Sequence, residues 1–142
     1  MTRNVELLFL LGSGLCLLMG VIHVALVLWD VPRGHLFLPA DERLRKAMKD
    51  TTLTLSRQLS LMRTYRGLNL SHGLGVTVFG LLAAYLALNH FGNLEPGVLL
   101  GISVGYSLAN LAVALRYWFG FPAVGYGAAA TLFVAAGVLY WL

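Results

Sequence analysis

The sequence predicts an all-α integral membrane protein: an antiparallel four-helix bundle with a cytoplasmic amphipathic loop between its first and second helices. Of the 142 residues, 58% are hydrophobic and 11% are charged, whereas a soluble domain has about 25% charged residues. The apolar residues also collect in four runs, each close to the ~20 residues that cross a bilayer core as a helix. We therefore expect residues 1–142 to form a single transmembrane domain.

The four predicted spans follow one another with short connections after the second and third. Helices are the default because lipid offers backbone groups no hydrogen-bond partner, and the alternating pattern of a β-barrel is missing. Connections of a few residues predict antiparallel neighbours. The spans are 5–29, 68–91, 97–117 and 122–142.

The long connection, residues 30–67, is an amphipathic loop. Pro32, Gly34 and Pro39 make its first part irregular. Residues 41–50 then place acidic residues before basic ones, an order that suits the helix dipole, and carry a narrow apolar stripe. We expect one or two short helices within 41–62, lying on the membrane surface.

Basic residues are concentrated in this loop and predict the orientation of the chain. Eight of the ten Lys and Arg residues lie there: Arg33, Arg43, Arg45, Lys46, Lys49, Arg57, Arg63 and Arg66. The positive-inside rule then places the loop in the cytoplasm and both termini outside. Charges in this position suit orientation and contact with anionic headgroups rather than nucleic-acid binding.

Polar residues within three of the spans converge at one predicted depth. His23, His72 and Asn110 each lie about six residues inside a basic or aromatic span end, roughly 9 Å below the interface. Asn69 is one turn from His72, and Tyr106 shares a helix face with Asn110. Polar groups inside a bilayer are costly, so these five residues are the candidate ligand-binding site.

Three interpretations of this polar layer stay open. The side chains hydrogen-bond one another and fix the helices, or they hold the head of a lipid, a quinone or another apolar ligand. Alternatively, His23 and His72 bind a tetrapyrrole cofactor, haem or a chlorophyll-type pigment, through imidazole nitrogens.

The sequence lacks the residue patterns of several kinds of functional site. The single cysteine, Cys16, forms no internal disulfide and no cysteine-based metal site. His35 and His90 have no second ligand at metal-binding spacing, which leaves any metal unknown. No carboxylate lies well inside a span, and no hydrolase, phosphate-loop or zinc-protease motif is found. No catalytic residue is therefore predicted.

The motifs GVIHVA, RTYRGLNLSHGLG and RYWFGFP resemble those of a widespread bacterial family of small four-helix membrane proteins of unknown function. The layout is also similar in architecture to the DoxX-type membrane proteins, some of which accompany quinone-linked oxidoreductases. This resemblance transfers no site residues, because fold alone does not establish function.

Together these observations favour a non-catalytic role. We expect a subunit of a membrane complex, or a protein that binds an apolar small molecule such as a lipid or quinone in its bundle. Its expected partners are membrane lipids and either a protein partner or a second copy, without nucleic acid. The alternative is a tetrapyrrole- or quinone-linked redox component that uses His23 and His72.

Overall fold

The structure, a computed structural model, describes residues 3–31, 33, 36–90 and 96–142, and these form five α-helices and no strand. The helices are α1 (Arg3–Asp30), α2 (Glu42–Asp50), α3 (Leu61–His90), α4 (Pro96–Tyr117) and α5 (Gly120–Trp141). All except α2 are long and apolar enough to cross a membrane. The predicted all-α class is confirmed, and the four long helices indicate a multi-pass membrane protein.

The outward faces of the long helices are apolar. Between 22% and 28% of the most apolar stretch of each is buried within the protein. Large side chains such as Leu18, Leu82 and Ile102 stay more than half exposed. Exposed apolar surface on this scale is stable against lipid rather than water.

The third helix begins at Leu61, before the predicted span that starts at Leu68. Hydropathy identifies only the part of a helix that lies in lipid. Helix α3 begins earlier, with a segment that contains the basic residues Arg63 and Arg66. Ser60 stabilises this start, because its Oγ accepts a hydrogen bond from the Arg63 amide at 3.4 Å. The other long helices begin within two residues of the predicted spans. Phe91, the predicted end of the second span, lies outside the described residues, as do Pro32, Gly34 and His35.

The amphipathic loop contains one short helix, α2, which begins after a capping aspartate. The Asp41 carboxylate accepts a hydrogen bond from the Arg43 amide at 2.7 Å. A second helix is not formed, and residues 51–60 instead make a turn closed by an antiparallel bridge between Thr52 and Ser60. Threonines alternating with leucines in this segment favour extended backbone over helix.

Contacts between residues divide the chain into two compact units, Met1–Met19 with Val76–Leu142, and Gly20–Gly75. The first unit contains an apolar core. Phe9 of α1 meets Phe133 of α5 at a ring-centroid distance of 5.1 Å, and both side chains are fully buried. After a two-residue connection, α5 packs along α4.

Gly80 brings α3 against α1 within this first unit. A β-carbon at this position would collide with the backbone nitrogen and Cα of Leu17. Backbone atoms cannot move aside as a flexible side chain can, so only glycine fits this close approach.

Candidate functional site

The second unit contains three of the five predicted site residues, and two of them meet ring to ring. His23 of α1 and His72 of α3 have ring centroids 5.5 Å apart and an interplanar angle of 84°. Both rings are half-buried. The polar groups of α1 and α3 therefore form a histidine pair, which we define as His23 and His72.

The backbone of Asn69 anchors this histidine pair. His23 Nε2 lies 3.1 Å from the Asn69 carbonyl oxygen. Because a carbonyl only accepts hydrogen bonds, Nε2 carries the proton and donates the bond. The Asn69 side chain instead donates to the carbonyl of Tyr65, at 2.9 Å. Asn69 thus holds His23 through its backbone carbonyl, a group that every residue type has, and not through its side chain.

Gly73 makes room for His23 on α3. A β-carbon at Gly73 would lie 2.7 Å from Cδ2 of His23 and 2.9 Å from Cγ2 of Val24. Contacts this short do not occur between unstrained atoms, so any larger residue would push the imidazole away from α3. In the sequence SHGLG, His72 is thus followed directly by Gly73, the residue that leaves space for the His23 ring.

A buried carboxylate positions the turn beside the histidine pair. Asp30, at the end of α1, is 3% exposed. Its two carboxylate oxygens accept hydrogen bonds from the amides of Leu36 at 2.8 Å and Phe37 at 3.1 Å. The Phe37 ring then lies 5.4 Å from the His23 ring, centroid to centroid. Asp30 is a positioning residue that sequence reasoning missed. In the sequence, only its position as an acidic residue directly after an apolar run points to it.

The remaining predicted site residues, Tyr106 and Asn110, belong to the first unit. The Asn110 side-chain amide donates to the carbonyl of Tyr106 at 2.9 Å, within α4. The Tyr106 ring stacks on Phe79 with centroids 3.8 Å apart. Both asparagines of the predicted layer thus bond to their own helix four residues back.

Two serines on α4 are buried without an identified role. Ser103 and Ser107 are fully buried, and the Ser103 hydroxyl has no hydrogen-bond partner among the described residues. Ser107 lies beside the thiol of Cys16. A serine in a helix can bond to the carbonyl four residues earlier, as Ser13 does to Phe9 at 2.9 Å. The spacing of four residues signals a shared face, but not that the face is buried.

The histidine pair does not fit a bis-histidine tetrapyrrole site as arranged. Such a site needs a nitrogen from each ring aimed at one iron across the macrocycle, whereas these rings touch each other. The Nε2 of His23 donates to the Asn69 carbonyl, so it is not the atom through which this ring would bind iron. Among the described residues, no three His, Cys, Asp or Glu side chains converge to hold a metal ion.

The basic residues of the loop gather around a cleft of about 770 Å³, which we call the cationic cleft. Six of its described lining residues are basic and one is acidic. The lining comprises Val31, Arg33, Leu38, Glu42, Arg43, Arg45, Lys46, Lys49 and Arg66. The sequence predicts a basic loop, but not that residues from three segments face a single cleft.

A second, much smaller cavity lies between the Asp30 turn and α3. Its volume is about 10 Å³, and its lining includes Phe37, Tyr65 and Asn69. A cavity of this size holds about one water molecule. This cavity is therefore too small to hold an organic ligand.

No protein family, curated protein or solved structure matches the chain. Its function is therefore inferred from the geometry of its own residues.

Proposed function

We propose that this protein is a non-catalytic multi-pass membrane protein that binds a lipid-like amphiphile, whose polar head contacts the histidine pair. The observation that carries the proposal is the contact between His23 and His72 within apolar helices. Two half-buried imidazoles there provide ring nitrogens in an otherwise apolar environment. A lipid or quinone head can hydrogen-bond to an imidazole nitrogen, which hydrocarbon cannot.

The proposed architecture is an antiparallel four-helix bundle in a bacterial inner membrane, with the loop in the cytoplasm and both termini outside. The resemblance to the DoxX-type membrane proteins supports this layout. The positive-inside rule supports the orientation, since the segment after α1, α2 and the start of α3 carry most of the basic residues.

Mass spectrometry of molecules retained by the purified protein tests the proposed function. The protein is extracted in a mild detergent, and its organic extract is compared between wild type, His72→Leu and Asn69→Leu. We expect one amphiphile at near-stoichiometric amount in the wild type, lost in His72→Leu. Asn69→Leu is the matched control, because it leaves the carbonyl that holds His23 in place and should retain the molecule. An identical extract from all three proteins would contradict the proposal.

The redox alternative makes a different prediction for the same sample. Haem or a chlorophyll-type pigment would give a strong visible absorption band, lost on substitution of its ligating histidine. Because the two rings contact each other, we expect the pure protein to be colourless. A stoichiometric Soret band lost in both His23→Ala and His72→Ala would favour the tetrapyrrole instead.

A role as a subunit of a membrane complex is compatible with amphiphile binding. The apolar outward faces of α4 and α5 are available to a partner protein or to a second copy. Native purification that recovers a stoichiometric partner would support this role. A monodisperse monomer in mild detergent would oppose it.

A further inference from the structure

The cationic cleft concentrates more positive charge than the local fold requires. Its described lining has six basic residues, from the segment just after α1, from α2 and from the start of α3, and one acidic residue, Glu42. Like charges brought together repel, by about 1 kcal/mol per pair at 4 Å even in water. An arrangement of this kind is stabilised by a bound anion.

Two arginines of the cleft are held by backbone carbonyls at the end of α1 and just after it. The Arg33 guanidinium donates to the Trp29 carbonyl at 2.9 Å and lies 4.3 Å from the Trp29 ring centroid. The Arg66 guanidinium donates to the Val31 carbonyl at 3.0 Å. A guanidinium has five N–H donors in a planar fork that matches phosphate. Each arginine therefore keeps donors for an anion while its own position is held.

Helix α2 supplies the other four basic side chains of the cleft, Arg43, Arg45, Lys46 and Lys49. The buried side chain of this helix is Met48. The Asp41 cap fixes where the helix begins. The cleft is thus assembled from two fixed arginines and a short helix whose register is set by its cap and its buried methionine.

We propose that the cationic cleft binds a phosphate-bearing anion, and that the headgroup of an anionic phospholipid is its source. The volume of about 770 Å³ is much larger than one phosphate needs and lies within the range of small-molecule sites. Val31 and Leu38 add apolar lining next to the end of the α1 span. At that level, a headgroup can enter the cleft while its acyl chains stay in lipid.

The test is a native mass-spectrometric titration of the full-length protein in detergent. The probes are dioctanoyl phosphatidylglycerol, its zwitterionic phosphatidylcholine counterpart, and inorganic phosphate as competitor. The cleft variant Arg43→Gln/Lys46→Gln is compared with Arg57→Gln/Arg63→Gln, which removes the same charge from loop and helix-start positions outside the cleft. All four side chains are exposed, and a melting curve for each variant checks that it folds.

We expect saturable 1:1 binding of phosphatidylglycerol, at least tenfold tighter than phosphatidylcholine. The cleft variant should bind it roughly 30-fold more weakly, and the control variant within threefold of wild type. Displacement by millimolar inorganic phosphate would keep the phosphate site but make free phosphate its source. Equal weakening in both variants, or no preference for the anionic lipid, would overturn the proposal. Its readout is independent of the amphiphile retained at the histidine pair.

Discussion

At the residue scale, Gly73 sets how closely α1 approaches α3 at the histidine pair. Gly73→Ala places a methyl group against Cδ2 of His23, and we expect it to lower the free energy of unfolding by about 1–3 kcal/mol. Gly75→Ala is the matched control on the same helix, because open space surrounds that position. It should be neutral or stabilising. Thermal melting in detergent checks both, and equal effects of the two substitutions would contradict the close contact.

Asp30 is the second residue with a defined local role. Its carboxylate satisfies the amides of Leu36 and Phe37, so Asp30→Ala leaves two backbone donors without their acceptor. We expect a loss of about 1–3 kcal/mol and faster hydrogen exchange at residues 36 and 37. Asp50→Ala, at the exposed end of α2, is the control. Unchanged exchange at Phe37 in Asp30→Ala would show that the carboxylate does not hold the turn.

Single residues also mark the limit of prediction from sequence. Polarity within an apolar run identifies His23 and His72, because it is visible in the residue type. The Asn69 carbonyl that holds His23 is invisible to such reasoning, since the side chain that draws attention bonds elsewhere. Asp30 is not predicted because its burial depends on a turn whose path the sequence does not specify.

At the scale of elements, α4 shows that glycine spacing alone does not identify the buried face of a helix. Gly101 and Gly105 have the spacing of a close helix contact, yet both are exposed, and a methyl group at either position would meet no neighbouring atom within 4 Å. The buried face instead carries Ser103 and Ser107. Small residues allow close packing but do not determine which side of the helix packs.

The buried serines allow a direct comparison of two hydroxyls. Ser103 Oγ has no partner among the described residues, so Ser103→Ala should raise the free energy of unfolding by about 1 kcal/mol. Ser13→Ala is the control, since its equally buried hydroxyl donates to the Phe9 carbonyl. It should be neutral or destabilising. Thermal melting decides, and a loss of stability in Ser103→Ala would indicate a partner for that hydroxyl.

The loop shows the same limit for whole elements. The order of charges and the narrow apolar stripe predict α2, because both are local signals. The turn over residues 51–60 is closed by the bridge between Thr52 and Ser60. It is not predicted, because its only sign in the sequence is a short alternation of threonine and leucine. The early start of α3 is not predicted because hydropathy locates the apolar span and not the first residue of the helix.

At the scale of the whole molecule, the orientation is open to a labelling test. The single native cysteine, Cys16, is fully buried, so the wild type should not react with an impermeant maleimide. Leu55 and Leu142 are each 96% exposed. In intact spheroplasts we expect Leu142→Cys to react, and Leu55→Cys to react only after permeabilisation. The reverse pattern would place the basic loop outside.

Binding of an amphiphile at the histidine pair is the central claim, and ligand add-back tests it most directly. The delipidated wild type and His72→Leu are each melted with and without the amphiphile extracted from the wild type. At a hundredfold excess over Kd, we predict a rise of about 5 °C or more in the wild-type Tm and none in His72→Leu. An equal rise in both proteins, or no rise in the wild type, would contradict the account.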